Sequence, residues 1–346
     1  MEHRKKTKKN KKRYMNAVLE KYMSKLDDVS CNLCNKRDTK TICDKERFGL
    51  PLTTVICKNC GLIYINPRPT KELYTEFYTA DYRKVVSGTD EGSERGFSQQ
   101  VDFARKKLVP LIKKYTQLKA RTLLDIGCSY GGIIAGVKKE FPNIKVTGIE
   151  PVKKVADFAS YKTNSSIITT VFEDVAFSEK FDLILCIRTL NHSLDPRANL
   201  SKIRDLLKKE GIFLLVLYDA ISNLLNRPLQ KMTEMTHPFI FARETINYFV
   251  DQVGLEIIFY KDTLIDAPSL SRIDYHSLQF APIIMICKRG KKGCNKTKSP
   301  DWKSIYKRIR CNCNAYQKNY SLIKKWQSPN LFLRVFRKIM KILRIW

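Results

Sequence analysis

The segment LLDIGCSYGG, Leu123 to Gly132, constrains the fold more than any other stretch of the chain. An apolar strand runs into Asp125, and Gly127, Gly131 and Gly132 then let main-chain N–H groups approach a ligand closely as the chain turns into a helix. The next apolar strand, KVTGIE, ends in Glu150, an acid placed to take both hydroxyls of a ribose. Turn and acid together specify a nucleoside-containing cofactor. The spacing is not the GxGxxG of dinucleotide folds, and no Lys-Ser/Thr pair follows to make a phosphate-binding loop.

The surrounding pattern extends this unit. Ile133, Ile134, Val137 and Phe141 share one helix face, and FDLILCI from Phe181 and GIFLLVLY from Gly211 are apolar runs of buried-strand length. Between those two runs Leu200, Ile203, Leu206 and Leu207 recur at helical spacing. Strands alternating with helices predict a parallel sheet covered on both faces, with its ligand outside the carboxyl ends of the strands.

Any Rossmann-like unit could carry a glycine turn, but this one, with its strand-end acid, resembles motif I of class I S-adenosylmethionine-dependent methyltransferases. HPFIFARETINYFVDQVGLEIIFYK and APIIMICK resemble the closing helix and antiparallel hairpin of that family, so the likeness covers about residues 100–290. It implies an α/β fold: a Rossmann-like seven-stranded sheet, here with a small N-terminal zinc-ribbon module and a C-terminal helical tail. It also implies cofactor contacts from Asp125 and Gly127 at the turn, Cys128 and Gly131 near the methionine part, and Glu150 on the ribose. Glu173 and Asp174 in VFEDVAF fall where an acid often meets the adenine amino group, the alternative being a solvated loop.

Eleven cysteines without a secretory signal argue against a disulfide framework. Cys31-x-x-Cys34 and Cys57-x-x-Cys60 form two knuckles able to close a tetrahedral thiolate shell around zinc. Four cysteines leave no open position, so the metal is expected to be structural; unmetallated thiols are the alternative. The next segment, CGLIYINPRPTKELYTEFYTADY, resembles the N-terminal module of methyltransferases acting on deoxysugar nucleotides and surface polysaccharides. There aromatic residues reach the substrate cleft, a role that would fall to Tyr78 and Tyr82; ordinary helix packing would equally account for them.

Methyl transfer to a hydroxyl or carbon acid needs a base. His192, in RTLNHSLDP at the end of the fourth strand, matches the histidine of the family's Glu-His pair, but its neighbour here is Asn191. His237, in EMTHPFIF, is the second candidate, with a structural role before Pro238 as its alternative.

The formal charge of +30 is concentrated at the ends: residues 1–25 hold ten Lys/Arg against two acids, and residues 288–346 eighteen against one. The expected organisation is a basic arm (1–25), a zinc-ribbon and substrate-cover module (26–82), linking helices (83–118), the S-adenosylmethionine-binding domain (119–290) and a basic amphipathic tail (291–346). In LFLRVFRKIMKILRIW, residues 331–346, basic residues repeat opposite Phe332, Phe336, Leu343 and Trp346, a pattern suited to an anionic membrane interface through 328–346 or to docking on protein. No apolar run reaches about 18 residues and MEHRKKTKKNKKR has no apolar signal segment, so a cytoplasmic enzyme is expected, peripheral on the inner membrane face. The expected acceptor is a small molecule, foremost a sugar that is nucleotide-linked, lipid-linked or part of a surface glycan. The alternatives are an RNA methyltransferase using the basic tails as RNA-binding arms, and a non-catalytic scaffold with a relic cofactor site.

Overall fold

The computed structural model describes residues 17–18, 20–47, 49–117, 120–262, 282–290 and 297–320. Most of the basic arm and the amphipathic run 328–346 lie outside these residues. Among the described residues, no helix is long and apolar enough to cross a membrane.

The N-terminal module comprises β1 (Leu26–Asp27), β2 (Thr39–Cys43), β3 (Thr54–Cys57), β4 (Ile63–Ile65) and β5 (Arg68–Pro69). Its helical part is α1 (Lys71–Glu76), a π-helical turn at Phe77–Asp81, and α2 (Tyr82–Ser87). Next come α3 (Glu94–Phe103), capped by Ser93 accepting the Gly96 N–H, a second π-helical stretch at Ala104–Leu108, and α4 (Val109–Thr116).

The large domain then alternates as its periodicity demands: β6 (Thr122–Ile126), α5 (Gly132–Lys138), β7 (Lys145–Ile149), α6 (Lys153–Thr163), β8 (Ser166–Ile168) and β9 (Phe181–Ile187). It continues with α7 (Pro196–Leu206), β10 (Leu207–Tyr218), α8 (Ala220–Asn223), β11 (Phe239–Ile240), α9 (Arg243–Gln252), β12 (Leu255–Lys261) and β13 (Pro282–Arg289); α10 (Trp302–Lys318) follows. One boundary differs from the helical spacing seen in the sequence. Leu207 opens β10 and pairs with Phe181, because a bulge before Ile212 lets the strand begin five residues early.

The seven strands run in the order β12-β13-β10-β9-β6-β7-β8, with β6 to β10 parallel and β13 antiparallel to both of its neighbours. Both faces are buried, which is why β9 and β10 are apolar without alternation. Leu124, Ile126, Ile184, Phe213 and Leu215 pack towards α7 and α9 on one face. Leu123, Leu183, Leu185, Leu214 and Val216 pack towards α4 and α5 on the other. The order reverses at β6 and β9, so a crevice opens beyond their carboxyl ends.

The module is joined to this domain through its own sheet. Phe239 and Ile240 of β11 pair antiparallel with Tyr64 and Ile63 of β4, giving a four-stranded sheet in the order β11-β4-β3-β2. On that sheet α10 buries Ile305 and Ile309 against Ile56, Ile63, Ile221 and Leu224, and Arg308 forks onto both carboxylate oxygens of Glu244 at 2.6 and 2.7 Å. The described part of the C-terminal stretch is therefore docked on its own chain.

Candidate active site

The site starts where β6 ends. Gly127 has φ +72°, and a Cβ there would lie 2.5 Å from Thr189 Oγ1, so the turn admits only glycine without strain. Gly132 serves a different purpose: its missing Cβ lets α3 close onto α5, since a methyl group would meet the Phe97 carbonyl at 2.3 Å. Gly131 N–H is donated to the Cys128 carbonyl, and the residue abuts Ala159 and Thr163 of α6. Of the turn residues, Gly127, Cys128, Ser129 and Tyr130 line the crevice, whereas Gly131 stands behind it.

That crevice is a cavity of about 430 Å³. Asp125 and Glu150 line it, both almost fully buried. Glu150 Oε2 accepts the Ser129 N–H at 3.2 Å, Oε1 accepts the Val152 N–H at 3.2 Å, and Arg83 Nη2 lies 3.4 Å from Oε2. Burial raises the Glu150 pKa, while Arg83 and the two N–H donors oppose the rise. Asp125 has no such counterweight: burial pushes its carboxyl up to about 7, and its Oδ2 has no partner among the described residues. A buried carboxyl oxygen without a donor, beside a turn that opens on a residue with no Cβ, fits a ligand carrying hydroxyl and ammonium groups.

A smaller slot of about 90 Å³ adjoins the cavity between Ile126, Ile149, Phe172 and Leu190, its lining largely apolar, as a base would need. Glu173 lines it and accepts from Asn199 Nδ2 at 2.7 Å and Ser193 Oγ at 3.1 Å. Asp174, next along the same short turn, is exposed and does not line it.

His192 joins these spaces to a third cleft, of about 670 Å³. Its Nδ1 lies 2.8 Å from the Thr236 carbonyl, which can only accept, so Nδ1 carries the proton and Nε2 the lone pair. The Tyr78 hydroxyl also donates to that carbonyl, at 2.5 Å. The rings of Tyr78, Tyr82 and His237 pack edge-on against the imidazole, with centroids 5.6, 5.4 and 4.5 Å away. Burial, reinforced by the charge of His237, holds the His192 pKa down at about 3. Burial pushes the Tyr82 phenol up to about 12, so both tyrosines are neutral.

The acid missing beside His192 is present at the other histidine. Glu234 Oε1 lies 2.5 Å from His237 Nδ1, and Glu234 Oε2 accepts from Arg47 Nη1 at 2.5 Å. These partners hold the Glu234 carboxyl well below the usual range despite its burial. Arg188, left-handed at φ +58° just past β9, lines both cavity and cleft with its guanidinium over the Tyr218 ring. The sequence alone does not single out Glu234, Arg47, Arg83 or Arg188. Glu234 alone left a local signal there, an acid three residues before His237.

The four knuckle cysteines meet away from this site, with all four Sγ atoms within 4.8 Å of one another. Cys31 and Cys60, and Cys34 and Cys57, are each 3.5 Å apart. Four converging thiols without disulfide bonds suit a tetrahedral soft metal.

A parallel sheet that reverses beside a glycine turn, with a strand-end acid in the cavity that adjoins an apolar slot, fits a Rossmann-like domain for a nucleoside-containing cofactor. The antiparallel β13 inserted between β10 and β12 narrows the class: the sheet has the mixed seven-stranded order typical of class I S-adenosylmethionine-dependent methyltransferases. Residues 99–259 match a family described as a methyltransferase domain. The chain is similar to N-methyltransferase 4 of Papaver somniferum, 28% identical over 159 residues, covering 42% of this chain and 44% of that protein. It is also similar to the ubiquinone biosynthesis O-methyltransferase of Actinobacillus pleuropneumoniae serotype 7 (strain AP76), 33% identical over 121 residues, covering 30% and 51%. The chain thus spans about half the length of the curated relatives it matches. Among solved structures, the plantazolicin methyltransferase BpumL aligns with a TM-score of 0.47 and 15% identity, over 63% of this chain and 95% of that one.

Proposed function

We propose that the chain methylates a small, polar acceptor, foremost a sugar bearing an anionic group, with His192 as the base. One observation carries this: the imidazole of His192 stands where the cofactor cavity and the cleft meet, lining both. S-adenosylmethionine, when bound, supplies a methyl group on a sulfonium centre. Gly127 and Cys128 would border its methionine part, Glu150 would take the ribose hydroxyls, and Glu173 would face the base. The three rings around His192 exclude water, and its Nε2 is left to accept a proton from an acceptor hydroxyl, amine or carbon acid.

The cleft lining supports the acceptor class. Arg47, Arg188, Arg227 and Lys231 outnumber Glu234, and Asn191 and Asn223 add polar groups. Such a wall suits hydroxyls and negative charge better than a planar hydrocarbon. One relative is named for ubiquinone biosynthesis, in keeping with a small-molecule acceptor. Zinc on Cys31, Cys34, Cys57 and Cys60 is proposed as structural, since four thiolates leave no position for substrate.

The test is transfer of labelled methyl to a panel of nucleotide-linked and phosphorylated sugars, with cofactor binding measured in parallel. His192→Ala is expected to lose about 10²- to 10⁴-fold in kcat while binding S-adenosylmethionine normally. Full turnover by His192→Ala would remove the base assignment.

A further inference from the structure

Arg83 is an under-satisfied cation inside the cofactor cavity. Its side chain is 13% exposed, and of its five donors Nη2 makes a 2.8 Å bond to the neutral Ser129 Oγ and the long 3.4 Å contact to Glu150. Nε is buried without a partner. The guanidinium lies 5.0 Å from the Tyr130 ring centroid and 5.9 Å from that of Tyr82. A guanidinium desolvated to this degree is stabilised fully only by a carboxylate or phosphate that takes its fork at two points.

Glu150 is a poor candidate for that partner. Its oxygens are already directed by the Ser129 and Val152 N–H groups, and a ribose would claim them further. Among the described residues lining the cavity, the one other arginine or lysine is Arg188, whose guanidinium stacks between Phe103 and Tyr218 and faces the acceptor cleft as well. Arg83, by contrast, sits on Ser129, within the glycine turn itself.

We propose that Arg83 binds the α-carboxylate of the cofactor's methionine part, releasing its contact with Glu150 as the ribose arrives. This rests on the methyltransferase reading of the site. Because Arg83 belongs to α2, beside Tyr82, the carboxylate also ties the covering helix to the loaded cavity. The cofactor therefore positions its own cover.

Calorimetric titration with S-adenosylmethionine and with decarboxylated S-adenosylmethionine isolates the carboxylate. The native chain should prefer the carboxylated form by about 10- to 100-fold, the size of a charged, forked hydrogen bond. Arg83→Ala should abolish that preference, leaving affinity for the decarboxylated form nearly unchanged, and Arg83→Lys should restore part of it. Arg188→Ala should keep the preference. Thermal unfolding of each variant checks that the fold survives, and affinity for the decarboxylated form reports an intact pocket. Equal binding of both forms by the native chain, or a preference that survives in Arg83→Ala, overturns the proposal. Loss of the preference in Arg188→Ala in place of Arg83→Ala does the same. Binding of neither form by the native chain overturns the methyltransferase reading beneath it.

Discussion

At the scale of residues, His192 and Asp125 bear on the pH behaviour in opposite senses. The His192 imidazole is held near pKa 3 against about 6.5 in an unfolded chain, so the unfolded state binds the extra proton first. Its contribution to stability is fully present above about pH 6.5 and fades as pH falls towards 3, the loss reaching about 2 kcal/mol by pH 5. Asp125, whose carboxyl burial raises to about 7, acts in the opposite sense over the same range, so His192→Ala should make a denaturant stability curve rise from pH 7 to 5 relative to that of the native chain. Since the His192 imidazole stays neutral, kcat/KM should show no limb at pH 6 to 7 from this group; a limb there that vanishes in His192→Ala would contradict the lowered pKa. Gly127→Ala is expected to cost about 1–2 kcal/mol from its left-handed backbone, and more from the clash with Thr189. Cofactor affinity and thermal unfolding would both report it. Asp125, Gly127 and Glu150 were legible because backbone and strand-end positions follow from local pattern. Arg83 was not, because its partner Glu150 lies far away in sequence, and Glu234, although only three residues before His237, meets Arg47 only in the fold.

At the scale of elements, the strands were read from their continuous apolar runs, and all of those runs are strands. The bulge in β10 escaped because Leu207 suits the last turn of a helix as well as a strand. The two glycines that begin α5 looked alike in sequence, yet Gly131 backs onto α6 and Gly132 onto α3, a distinction that exists only once helices pack. The cysteine knuckles were legible from spacing alone, since each C-x-x-C is a local turn. With a structural metal there, a strong chelator should lower the melting temperature and loosen the β2–β3–β4 sheet, whereas Cys43→Ser should leave metal content unchanged. Metal analysis and circular dichroism would show it. Unchanged melting in chelator would point to bare thiols.

At the scale of the whole molecule, the sequence separates a cysteine module from a cofactor domain, whereas the structure closes one sheet from both. Nothing in the two residues Phe239 and Ile240 announces a strand, since two residues carry no periodicity. Their pairing with β4 draws the His237 loop against the module and puts the cleft between them. The same pairing has a consequence during synthesis. The apolar edge of β4, Ile63-Tyr64-Ile65, leaves the ribosome long before its partner strand, and at about 5–20 residues per second that interval is many seconds. Until Phe239 and Ile240 emerge, an unpaired strand edge is open to any other nascent chain. The late strand that shapes the cleft thus also ends the interval in which the edge of β4 lies open.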